Sequence, residues 1–176
     1  MSKAFTKDEA WEEPVIPPRA PLPVGVPNYV TPRGLRLLRA ELAGLEAERQ
    51  RLDAERSDDD AEHRRRLVIV AGRVNELSAR VASAQMVDPS RQSHETVRFG
   101  ARVTLRTLAG TRAGEERRVD IVGVDEADAA HGRVAFVAPI ARAIIGCAVG
   151  ETATLVTPRG EELLQVLRIE YAEDEP

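Results

Sequence analysis

Little in this chain could stack on a base or complete a metal cage. Aromatic residues make up 3% of the sequence, and 29 acids outnumber 25 bases, giving a net charge of −4. Direct binding of DNA or RNA needs a basic face and rings to lay against bases, so it is a poor leading reading. The single cysteine, Cys147, has no partner for an intramolecular disulfide, and with three scattered histidines it makes no structural zinc set. It reads as a small packing residue behind Gly146. No apolar run approaches the ~20 residues of a membrane span, and the opening Met1-Ser2-Lys3-Ala4-Phe5-Thr6 lacks the apolar stretch of a secretory signal. A cytoplasmic protein with no membrane attachment is expected. Internal repeats and phosphate-cradling glycine loops are also missing.

What the chain does have is helical periodicity from Thr31 to Asp88. Leu35, Leu38, Leu42, Leu45 and Leu52 recur at steps of three and four, with Arg49 at one seam position; Leu67, Val70, Val74, Leu77, Val81 and Ala84 repeat the pattern. Each stripe is too narrow to enter a broad core, so the two helices bury both by folding back on each other. The break between them, Asp58-Asp59-Asp60-Ala61-Glu62, becomes the tip of an antiparallel coiled-coil hairpin. Arms of roughly 25 residues at about 1.5 Å each hold that tip close to 40 Å from the base. Thr31 is placed to cap the first helix with Pro32 in its first turn, and Val87-Asp88-Pro89 ends the second.

Residues 1–30 hold Pro14, Pro17, Pro18, Pro21, Pro23 and Pro27, which predict an extended tail with a polyproline bias. Phe5 and Trp11 in that polar tail either pack back on the hairpin base or the second domain, or form a short docking peptide. After a linker at 90–96 the period changes to two: Val97, Phe99, Ala101, Val103 and Leu105 alternate with polar residues or glycine. Further strands are expected at 116–124, 134–137, 152–157 and 163–171, with Thr157-Pro158-Arg159-Gly160 as a hairpin turn. Pro139 to Ile145 predicts a short helix closed by Gly146. The fold class is α+β: a Pro-rich tail (1–30), a helical hairpin (31–88) and a small sheet domain (97–172).

These residues carry a resemblance to the Gre family of bacterial transcript cleavage and elongation factors. In the sheet domain it rests on Phe99-Gly100-Ala101, Ile121-Val122-Gly123-Val124-Asp125-Glu126-Ala127-Asp128, Ala138-Pro139-Ile140-Ala141-Arg142-Ala143-Ile144-Ile145-Gly146, Val149-Gly150-Glu151 and Ile169-Glu170-Tyr171. In the hairpin it rests on Tyr29-Val30-Thr31-Pro32-Arg33-Gly34 and Ala84-Gln85-Met86-Val87-Asp88. The resemblance implies an FK506-binding-protein-like antiparallel β domain that docks on RNA polymerase, and a coiled coil that enters the secondary channel. It implies a monomeric factor with no catalysis of its own, acting on the polymerase active site. Asp125, Glu126, Pro139, Ile140 and Arg142 are the expected docking residues. Isomerase activity is not expected, because only Phe99, Phe136 and Tyr171 are available to line such a pocket.

At the tip the chain departs from its relatives. Cleavage-active members resembling it carry Asp, two residues, then Glu-Asn-Ala-Glu-Tyr. Aligning Ala61-Glu62 puts Asp59 at the essential Glu, Asp60 at the Asn, His63 at the aromatic position and Arg56 at the essential Asp. A slipped register brings Asp58 into that last role. The arms also look shorter than the family norm by one or two turns, about 5–10 Å. Asp58, Asp59, Asp60 and Glu62 are expected to act at the polymerase Mg²⁺, with Asp58 and Asp59 as shared ligands and no cofactor stably bound; carboxylates suit so hard an ion. A plainer reading has the same acids favouring the dipole of the second helix by about 0.3–1 kcal/mol each, neutralised by Arg64, Arg65 and Arg66. His63 reads as a solvated helix residue. The functional readings are an activator of transcript cleavage, a regulator whose tip occupies the channel, and an interaction module for another partner, like the Gre-related regulators of nucleoside diphosphate kinase.

Overall fold

A computed structural model describes residues 19–55 and 61–171. The first element is a three-residue strand β1 (Asn28–Val30), followed by α1 (Pro32–Ala54) and α2 (Ala61–Ala82). Thr31 caps α1: its Oγ1 accepts from the Gly34 N–H, and Pro32 occupies the first turn. The two helices pack antiparallel along the leucine and valine stripes. Val30, Leu38 and Leu77 are buried at the base with Leu35, Leu42, Leu45, Val81 and Ala84 around them, and Leu52, Val70 and Val74 are buried nearer the tip. At about 1.5 Å per residue the arms of 23 and 22 residues run about 33–35 Å.

The second helix stops at Ala82, short of the expected Asp88. Residues Ala84–Met86 form β2, which pairs in parallel with β1, Asn28 opposite Ala84 and Val30 opposite Met86. Asn28 draws the chain out of the helix by donating from Nδ2 to the Arg80 carbonyl and Ser83 Oγ. A parallel pair needs a long crossover, and here the whole hairpin serves as that crossover. Asp88 caps a single 3-10 turn at Pro89–Arg91 instead of ending the helix.

The remaining strands are β3 (Ala101–Ala109), β4 (Glu116–Val122), β5 (Arg133–Ala135), β6 (Thr152–Thr157) and β7 (Gly160–Tyr171), with α3 (Pro139–Ile144) between β5 and β6. They form one sheet in the order β5-β4-β3-β7-β6. The expected antiparallel sheet is antiparallel except at one edge, where β5 runs parallel to β4 after 3-10 turns at Val124–Glu126 and Ala129–His131. Period-two alternation places Ala101, Val103 and Leu105 in a core shared with Val119, Ile121, Ala141, Ile144, Leu164 and Val166. The predicted strand at Val97 starts later: Gly100 turns the chain at φ 85°, and Val97 enters the core from the preceding loop. Gly146 closes α3 at φ 93°, as its position predicts. Cys147 packs against this core, and burial raises its thiol above the ordinary value.

Candidate functional site

Hairpin and sheet domain are joined by a polar clasp. Glu126, in the 3-10 turn after β4, is buried at 8% exposure and accepts from Thr31 Oγ1 and, at 2.9 Å, from Arg33 Nη1. The Thr31 hydroxyl therefore donates to Glu126 while accepting from Gly34, so the helix cap and the domain contact share one oxygen. Asp125 beside it faces two guanidiniums, with Arg80 Nε 3.2 Å from Oδ2 and Arg19 Nη1 3.3 Å from Oδ1. The Arg80 contact lacks hydrogen-bond geometry, and Oδ2 is buried without a donor. Burial accordingly pushes the Asp125 carboxyl up from its ordinary range, against the pull of Arg80 and Arg19. Rings complete the joint: Tyr29 stacks at 5.8 Å from Phe99 and 5.6 Å from Phe136, which also meet each other edge-on.

This changes the reading of two expected docking residues. Asp125 and Glu126 were expected on an exposed surface; their side chains are only 7% and 4% exposed because the hairpin base supplies Arg80, Arg33 and Thr31 as partners. Sequence reasoning missed that set, since partners 45 to 95 positions apart leave no local pattern. The other three lie on α3. Pro139 and Arg142 are exposed, while Ile140 is half-buried against the sheet core. Close by in sequence, Ile145 and Val149 are exposed apolar residues at 41% and 56%.

At the far end of the hairpin, Asp58, Asp59, Asp60 and Arg56 lie outside the described residues. Glu62 is exposed in the first turn of α2. His63 is not simply solvated: its Nε2 lies 2.9 Å from the Leu52 carbonyl, and because a carbonyl only accepts, Nε2 carries the proton and ties α2 to the end of α1. Arg66 donates from Nε and Nη2 to Glu48 on the facing arm. Among the described residues no three His, Cys, Asp or Glu side chains gather to hold a metal. No described helix is long and apolar enough to cross a membrane.

The arrangement defines a class: a curled sheet body clasped through Asp125 and Glu126 to the base of an antiparallel helical hairpin. Comparison with known proteins gives the family. Residues 92–171 match the profile described as "Transcription elongation factor, GreA/GreB, C-term". A transcription elongation factor GreB of Neisseria meningitidis is 34% identical over 157 residues, spanning 82% of this chain and 94% of that one. A transcription elongation factor GreA of Francisella tularensis subsp. novicida is 34% identical over 155 residues, spanning 81% and 95%. Among solved structures, a GreA/GreB factor from Nitrosomonas europaea overlays at a TM-score of 0.40, with 18% identity and coverage of 83% and 99%. The chain belongs to the GreA/GreB family of transcription elongation factors.

Proposed function

We propose that this chain binds RNA polymerase through its sheet domain and works through the secondary channel, where the hairpin carries Asp58, Asp59, Asp60 and Glu62 toward the active centre. The observation that carries this reading is the antiparallel hairpin, clasped to the sheet domain at Thr31 and Arg80, whose arms end at Ala54 and Ala61 on either side of an acid-rich stretch of the sequence. The exposed part of α3, Pro139 and Arg142 with the outer edge of Ile140, is the proposed docking edge. Asp125 and Glu126 serve docking indirectly, by fixing the direction in which the rod leaves the body.

The tip donor set is all carboxylate, which suits Mg²⁺ in chemistry; Asp58 and Asp59 are the proposed ligands, shared with the polymerase, and Glu62 adds negative charge beside them. A metal held there would stabilise the attacking and leaving oxygens of phosphodiester hydrolysis. The chain's own part is to bring charge to the place and to exclude other occupants. Arg56 stands where the cleavage-active motif has its essential Asp, which favours regulation of elongation or pausing by an occupied channel over strong stimulation of cleavage. Cleavage remains the second reading because Asp58 lies two positions away from Arg56 and can take that role in a slipped register.

The test is replacement of Asp58, Asp59 and Asp60 together by Asn, which keeps size and capping ability but removes charge. Polymerase affinity is expected to stay and the effect on transcription to vanish. A regulator then stops slowing nucleotide addition, whereas a cleavage activator loses Mg²⁺-dependent shortening of backtracked RNA. A triple variant equal to the parent in both assays leaves the acids as a solvated helix start. Failure of the purified chain to retain polymerase would move the function to another partner.

A further inference from the structure

The segment before β1 crosses from hairpin to sheet body and touches both. Arg19, its side chain 22% exposed, meets three elements. Its N–H donates to Glu76 Oε1 of α2 at 2.8 Å, Nη2 lies 2.5 Å from Glu41 Oε1 of α1, and Nη1 lies 3.3 Å from Asp125 Oδ1 of the sheet body. Next to it, the Ala20 carbonyl accepts from Arg80 Nη2, while Arg80 Nε faces Asp125 Oδ2. Both guanidiniums on Asp125 are thus set from this segment, Arg19 directly and Arg80 through a carbonyl that holds the far side of its fork. The Glu126 half of the clasp, made with Thr31 and Arg33, uses nothing from it.

We propose that residues 19–27 brace the hairpin against the sheet body, and that Arg19 is the positioning residue that sets the angle between them. Glu41, Glu76 and Asp125 repel one another, and burial adds to the cost at Asp125. Arg19 offsets that repulsion only while α1 and the turn at Val124–Glu126 stand close enough for one rigid, planar fork to reach both Glu41 and Asp125. A tilt of the hairpin away from the body parts those two acids and breaks one of the contacts. The brace itself has few other conformations to adopt. Pro21, Pro23 and Pro27 restrict it, a turn closes where the Val26 N–H donates to the Pro23 carbonyl at 3.1 Å, and Asn28 pins its other end on the Arg80 carbonyl and Ser83. Arg19 acts through Glu41 and Asp125 and touches no reacting atom; only its consequence for transcription rests on the function proposed above.

Distances between two spin labels in the full chain read the angle without polymerase. Cys147→Ser removes the native thiol, and Asp53→Cys near the end of α1 and Thr154→Cys on β6 place labels at exposed positions. With Arg19 intact, one narrow distance distribution is expected. A tilt of about 10° at the base of an arm about 33–35 Å long moves its end by about 6 Å, so Arg19→Gln should shift or broaden the distribution by that order. Glu41→Gln, which cuts only the α1 end of the bridge, should do so less, and Arg19→Lys, which keeps the charge but loses the fork, should fall between Arg19→Gln and the parent. A distribution already broad in the parent, or unchanged in Arg19→Gln, overturns the proposal. So does a lower melting temperature with an unmoved distance, because Arg19 then only stabilises. With polymerase, Arg19→Gln should weaken the effect on transcription at unchanged affinity. Parent-like transcription beside a moved hairpin would uphold the positioning role and count against the proposed function instead.

Discussion

The Thr31 hydroxyl has two duties at once, and that makes it a test of how cap and clasp are coupled. Thr31→Val keeps the shape but removes both the acceptor for Gly34 and the donor to Glu126. A loss of about 1–3 kcal/mol is expected in chemical denaturation, since a cap and a buried carboxylate's partner go together, while Thr31→Ser should keep most of it. Two buried acids respond to pH with opposite signs. Glu162 on β7 accepts from Thr111, Arg112 and Arg117, and the Arg112 bond leads in holding its carboxyl below the ordinary range. Its contribution is therefore full above the unfolded value of about 4.3 and is lost as pH falls through the lower folded value. Asp125, held high by burial, binds protons more readily folded than unfolded, so its contribution declines as pH rises from about 3.9. Glu162→Gln should lower the melting temperature at neutral pH and flatten its fall in acid. A variant that keeps the parent's acid slope would remove Glu162 as a source of that slope.

Glycine in a helix normally costs about 1 kcal/mol against alanine, so Gly34 in the first turns of α1 looks like a place to gain stability. The packing reverses the sign. A Cβ there would lie 2.7 Å from Glu126 Oε2 and 3.3 Å from Thr31 Oγ1. Glu126 is held by two bonds and cannot swing aside without losing them, so Gly34→Ala should destabilise by about 1–3 kcal/mol. Thermal melts of Gly34→Ala beside Gly44→Ala check this, because Gly44 has open space around its Cβ position and should gain. At this scale much was legible in the sequence. The stripes Leu35 to Leu52 and Leu67 to Val81, the cap at Thr31, β6, the turn into β7 and α3 all rest on local period or local turn chemistry. The pair β1–β2 was not legible, because three residues carry no period and the partners are separated by the hairpin itself. The family resemblance put Asp125 and Glu126 on a docking surface, and nothing local announced that Arg80, Arg33 and Thr31 would pair them. The tip acids were legible as residues, but their role depends on a register that composition alone leaves open.

On the scale of the whole molecule, the reach of the rod counts only if its direction is fixed. The joint is small: one acid pair, three rings and a two-stranded parallel sheet set the angle between hairpin and body. Replacing Asp125 and Glu126 together by Ala leaves Arg80, only 10% exposed, without its acid, and strips Thr31 and Arg33 of theirs. A loss of about 2–4 kcal/mol at the joint is expected, while the leucine seam and the sheet core, which do not use these side chains, stay folded. Calorimetry should then separate one unfolding transition into two, for the hairpin and for the sheet domain. In the proposed function, α3 would still dock, so polymerase affinity should fall little, but a rod about 33–35 Å long on a loosened base sweeps its acids away from one target. The double variant should therefore resemble the tip triple variant in transcription assays even though every tip acid is intact. If it retains the full effect, the clasp serves stability alone, and the aim of the rod must come from the walls of the channel that receives it.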